Sequence, residues 1–135
     1  MPYPTSDLDG ITQDQIEVLK SEGIRTTEKL LEGARSLRLR KHLSDKTGIP
    51  EKTLLRWANM ADRMRIKGIG GDHARLLEAI GVVTVRDLKH RNPAHLAKAM
   101  REFNDKRKLV RLLPSQNKIK NWVVAAGKLD QKITY

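Results

Sequence analysis

Apolar positions along this chain recur at helical spacing and are interrupted by glycines. Ile69, Ala74, Leu77 and Ile80 fall on one face of a helix, with Asp72, Arg75 and Glu78 on the other. Gly81 follows where a glycine in the left-handed region would end that helix. Thr84, with Asp87 three residues on, forms a capping box that opens the next helix and turns Val85 and Leu88 inward. The same order occurs earlier. Ile11, Ile16 and Leu19 make the stripe, Gly23 the stop, and Thr26 or Thr27 the next cap. At a shift of 58 residues, without a gap, Gly10 falls on Gly68, Ile11 on Ile69, Leu19 on Leu77, Gly23 on Gly81, Thr26 on Thr84 and Leu30 on Leu88. The segment is duplicated.

A second pair of segments matches more loosely. Residues 43–57 resemble residues 109–122, and Leu54 and Trp57 share their spacing with Ile119 and Trp122. Each predicts a short helix, a tight turn near a proline, and a longer helix with an inward tryptophan. Pro50 and Pro93 suit the first turn of a helix, where a missing N–H costs nothing. No strand-like alternation occurs. The pattern therefore predicts an all-α chain of two halves, residues 8–63 and 64–130, each holding two helix-turn-helix hairpins. Residues 58–64 contain neither Gly nor Pro, which predicts a continuous helix at the junction and halves that pack as one body. Residues 1–7 and 131–135 are expected to fray.

With 135 residues, 39% of them hydrophobic, the chain can bury a core; at 4% aromatic, that core must come mostly from Leu, Ile, Val and Ala. Trp57 and Trp122 are expected to anchor it. The absence of cysteine excludes disulfides and thiolate metal sites. His42, His73, His90 and His95 lack the spacing of a metal site, so no metal or other cofactor is expected. There is no Ser-His-Asp order, nucleophile elbow or phosphate-binding Gly-Lys-Ser loop. The expectation is a protein that is not an enzyme and has no small-molecule substrate. No basic region leads into an apolar run, and no stretch approaches the ~18 apolar residues of a span. That predicts a cytoplasmic protein without a membrane partner.

Charge changes the picture most. Twenty-seven Lys and Arg against 16 Asp and Glu give a net charge of +11 and a pI near 10.2. Residues 1–34 hold three bases and seven acids, so the remainder is more basic still. Such a field attracts a polyanion: nucleic acid, anionic lipid or an acidic protein. Three clusters could supply contacts. They are Arg35, Arg38, Arg40 and Lys41; Arg63, Arg65 and Lys67; and Lys106, Arg107 and Lys108 with Arg111, preceded by Lys98 and Arg101. No aromatic residue stands among them, which argues against base stacking on a single strand.

Ile66-Lys67-Gly68-Ile69-Gly70, with Gly71 opening a helix, carries the most specific signal. Glycines let a backbone approach a ligand closely, and a helix N-terminus presents amides and a positive dipole end. Ile69 would hold the bend on the core, and Lys67 would add a full charge. Such a device grips phosphate and reads no base. It serves equally as a turn alone. Residues 66–77 with 81–88 resemble the helix-hairpin-helix motif, whose Gly-apolar-Gly bend contacts the DNA backbone. The repeat, with Gly81-Val82-Val83-Thr84-Val85, is similar to the N-terminal domain of archaeal and eukaryotic strand-exchange recombinases. Residues 19–26 and 46–50 resemble the C-terminal domain of the bacterial RNA polymerase alpha subunit. Residues 8–130 as a whole resemble a bacterial domain-of-unknown-function family of tandem helix-hairpin-helix repeats. In the first repeat Thr12 replaces the second glycine and Asp9 replaces Lys67. The hairpin resemblance implies backbone contact with DNA, and with the charge it leads to the expectation of sequence-nonspecific binding of nucleic acid, duplex DNA above all, through Lys67, Gly68, Ile69, Gly70 and Gly71, with the clustered bases Arg63, Arg65, Lys106, Arg107 and Lys108 on phosphates. The competing expectation is a protein-interaction module that meets an acidic partner.

Overall fold

A computed structural model describes residues 3–135, and among them the secondary structure is helical apart from one isolated bridge between Pro4 and Thr26. A single 3-10 turn at Thr5–Asp7 precedes α1 (Gln13–Ser21), α2 (Thr27–Ala34), α3 (Leu37–Thr47) and α4 (Glu51–Arg63). Then follow α5 (Gly71–Ala79), α6 (Val85–Lys89), α7 (Pro93–Arg107) and α8 (Gln116–Lys128). Each start has a local cause. Thr12 and Thr84 close capping boxes with Gln15 and Asp87, and Thr26, Ser36, Asn92 and Ser115 cap their helices through side-chain oxygens. Pro93 takes the first position of α7.

The element order repeats. Helix α5 begins 58 residues after α1, and α6 begins 58 residues after α2. Helices α4 and α8 each have 13 residues and carry Trp57 and Trp122, both buried. Helix α2 packs on α4 as α6 packs on α8. One contiguous apolar core joins the halves, from Leu8 through Leu54, Ile69 and Leu88 to Ile133.

Helix α4 lies at its centre, touching α2, α3, α5 and α6. Every residue from Trp57 to Arg63 is buried, so the second half of this helix is enclosed on all sides. Most polar groups among them are paired, as burial demands, although Arg63 Nε has no partner. Asn59 Oδ1 accepts from the Tyr135 hydroxyl at 3.2 Å, and Asp62 Oδ1 accepts from Arg65 Nε at 2.7 Å. The junction expected as continuous helix forms the last turns of α4, which stops at Arg63 before a turn leads into α5.

The termini differ from expectation. Residues 3–7 do not fray: the Thr27 amide donates to Tyr3 O at 2.8 Å, the Thr5 amide donates to Arg25 O at 3.2 Å, and Thr5 is buried. Residues 1–2, also expected to fray, lie outside the described residues. Residues 131–135 are docked on the first half. Ile133 is buried, the Thr134 amide donates to Arg35 O at 2.8 Å, and Lys132 Nζ meets Glu32 Oε1 at 2.9 Å. Apolar burial and backbone pairing hold both segments. Among the described residues no helix is long and apolar enough to cross a membrane.

Candidate functional site

The bend before α5 is built as its sequence predicts. The Ile69 amide donates to Ile66 O at 3.1 Å, and Ile69 is wholly buried, fixing the turn to the core. Gly68 has φ +95°, and a Cβ there would lie 3.1 Å from Trp122 Nε1, so both conformation and space require glycine. Gly70 caps α5 without any side-chain hydrogen bond. Lys67 and Gly68 are exposed.

Its surroundings overturn part of the expectation. Arg63 is no surface cation. It is fully buried, with Nη1 donating to Val83 O and Nη2 to Ala74 O at 2.8 Å. Burial lowers its pKa to about 10, the cost of holding a guanidinium among carbonyls and apolar side chains. Arg65 is occupied as well. Its Nε donates to Asp62 Oδ1 at 2.7 Å, Nη1 to Asp130 Oδ1 at 3.0 Å and Nη2 to Asp130 O at 2.8 Å. Burial still pushes the Asp62 carboxyl up, against the pull of Arg65. Of that cluster, Lys67 alone reaches solvent freely.

The N-terminal segment also covers one side of the bend. A Cβ on Gly70 would meet the Tyr3 ring at 3.7 Å, and one on Gly71 would lie 3.0 Å from Asp7 O. Asp72 then stands exposed on the first turn of α5, paired with Arg75 at 2.6 Å. The bend is therefore open at Lys67 and Gly68 and partly covered, beside Asp72, at Gly70 and Gly71. Nothing in the local sequence announces this cover, because its contacts come from some 60 residues away.

The first cluster is likewise broken up. Arg40 is buried, donating to Ala34 O at 2.9 Å and to Thr134 O at 2.8 Å, while Arg35 meets Glu32 at 3.8 Å. Arg56, in no expected cluster, bridges Glu78 and Asp9 at 2.8 and 2.5 Å, and those carboxylates raise its pKa.

The third cluster stands clear. Lys106, Arg107, Lys108 and Arg111 are all exposed at the end of α7 and on the loop beyond it. They belong to a wider cationic region. Residues 85–128 hold 12 Lys and Arg against three Asp and Glu, and every one of those bases except Arg91 is exposed. The one ion pair there among the described residues is Lys98 with Glu102 at 4.0 Å.

Among the described residues, eight α-helices in two matched sets, with the positive charge concentrated on the second set, define an all-helical protein with a cationic half. The chain belongs to the family described as a domain of unknown function (DUF4332), which matches residues 9–129. That match spans both halves, so a single family unit contains the whole duplication. No curated protein and no solved structure matches the chain. Among the described residues no group of three or more His, Cys, Asp or Glu could hold a metal ion.

Proposed function

We propose that this protein is a non-catalytic, cytoplasmic, sequence-nonspecific binder of nucleic acid, duplex DNA above all, built from tandem helix-hairpin-helix units. One observation carries the reading: the bases of residues 85–128 are exposed and nearly free of carboxylate partners. Cations held in that state exchange their counterions for phosphates at little cost in lost protein contacts. The contacts belong to Lys106, Arg107, Lys108 and their neighbours, with Lys67 and the exposed edge of Gly68 adding one more phosphate. Arg63, Arg65 and Gly71 take no part in it.

The test is a titration of a short duplex of arbitrary sequence at two salt concentrations. Steep loss of affinity with salt, equal for unrelated sequences, supports the reading. Absence of binding at ~50 mM salt overturns it, since non-specific electrostatic contact is strongest there. The second reading, a protein-interaction module with an electrostatic interface, is favoured by the exposed Asp14, Glu17, Glu22 and Glu28 of the first half. A partner carrying both signs of charge could use that surface, whereas phosphate could not.

A further inference from the structure

The two halves close their second helix pair differently. Helix α3 ends at Thr47 and α4 starts at Glu51, so residues 48–50 suffice for the turn. Helix α7 ends at Arg107 and α8 starts at Gln116, leaving residues 108–115 between them. The second connection is thus five residues longer than the packing of such a pair requires.

What occupies the extra length is specific. Gly48 ends α3 with φ +76°, and Lys108 ends α7 with φ +51°. Among the described residues Lys108 is the only non-glycine at positive φ. A lysine in that conformation is strained where glycine would be at ease, and such strain persists at positions that serve a task. The loop is also firmly held. Asn104 Nδ2 donates to Val110 O, the Val110 amide donates to Asn104 Oδ1, both at 3.0 Å, and Val110 is buried. Immediately after this clamp the chain bends at Arg111 and Leu112. Leu112 is 83% exposed, the highest value of any large apolar side chain described. A braced loop therefore presents one bare leucine beside Arg111, four residues from a strained lysine.

Resting on the reading above, we propose that this loop is a wedge for duplex nucleic acid: Leu112 enters at a base step while Lys108 and Arg111 hold the flanking phosphates. Leucine is among the side chains that proteins insert between base pairs to unstack and kink a duplex. A single side chain fills a single step. A bilayer is a poorer match, because even a whole myristoyl chain gives only marginal membrane binding.

The experiment uses the full chain and a short duplex carrying a base analogue that brightens on unstacking, with a dye at each end to report bending. The wild-type protein should brighten the analogue and shorten the end-to-end distance. Leu112→Ala should keep helical content and the salt slope, lose both signals, and bind about tenfold more weakly. Lys108→Gly should melt at a higher temperature yet bind the duplex less well, a pairing that a purely structural lysine would not produce. Salt-dependent binding with no unstacking by the wild type overturns the wedge and leaves the binding reading intact. Failure to bind duplex at all overturns both. Should Leu112→Ala instead abolish binding to phosphatidylserine vesicles and leave duplex binding unchanged, the occupant is lipid and the wedge is refuted.

Discussion

In the first half the Asp9-Gly10 turn sits beneath Trp57 and Arg56. The Trp57 indole donates to Asp9 O at 3.0 Å, and Arg56 grips the Asp9 carboxylate and reaches on to Glu78. In the second half the corresponding turn is Lys67-Gly68, over Trp122, and the position matching Arg56 is Asn121. The tryptophan-on-turn packing is kept, and the charged pair is gone. A carboxylate with an arginine has become a lone lysine with a neutral amide. The same shift is seen at the ends of α4 and α8, where buried Arg63 matches exposed Lys128. One packing scheme thus supports two electrostatic states. At these matched positions the first half uses its cations as ligands of the fold, and the second leaves them to solvent. The lesson is that counting bases locates a binding surface only after those held by carbonyls and carboxylates are removed.

The largest effect that tests this contrast is at its most buried member. Arg63→Ala should destabilise the protein by about 3–5 kcal/mol, leaving a cavity and removing the bonds donated to the Val83 and Ala74 carbonyls. Lys128→Ala should stay within about 0.5 kcal/mol. Urea denaturation of the two variants measures both, and equal losses would break the comparison. Replacing Lys106, Arg107 and Lys108 together by Gln should leave stability nearly unchanged and reduce the salt slope of duplex binding by about 2–3, with affinity falling about tenfold or more. A triple variant that binds as well as the wild type would place the contacts elsewhere.

A smaller contrast lies in the caps. Asp87 completes the box at α6, accepting from the Thr84 and Val83 amides at 3.1 Å. Burial alone would raise its pKa, yet these amides, the Thr84 hydroxyl and Arg91 together hold it below the ordinary value. Its contribution is therefore present above the unfolded carboxyl pKa and disappears as pH falls through the lower folded one. Asp87→Asn should cost about 1 kcal/mol at neutral pH, and thermal melts of the two proteins should converge in strong acid. At the matching position of α2 stands Lys29, and Thr26 caps without a reciprocal partner. Lys29→Asp should stabilise by roughly 0.5 kcal/mol, through a completed box and a favourable end of the helix dipole.

The caps and the helical order were legible because their causes are local. Thr12, Thr26, Thr84 and Asn92 act within three residues of where they stand, and glycine stops act at one position. Trp57 and Trp122 were legible as core because they hold matched places in the two halves, three residues after Leu54 and Ile119. The α1 stripe is narrower than its spacing predicts: Leu19 is buried, while Ile11 and Ile16 are only half-buried. Arg75 and Glu78, expected to face water, are half-buried in the network around Asp9 and Arg56. The candidate site was legible in total charge and not in its distribution. The fates of Arg40, Arg63 and Arg65 depend on Thr134, Val83 and Asp130, partners set by tertiary folding. Lys108 gave no signal either, since a lysine after a helix looks ordinary until its φ is known.

The docked C-terminal segment has a consequence for how the chain is made. Arg40 and Asn59 lie in the half that is synthesised first, yet one partner of each is supplied by Thr134 and Tyr135. While those residues are still inside the ribosome, the earlier helices carry a guanidinium and an amide lacking those partners. Vectorial synthesis therefore leaves the first half without these two partners until residues 134 and 135 have emerged.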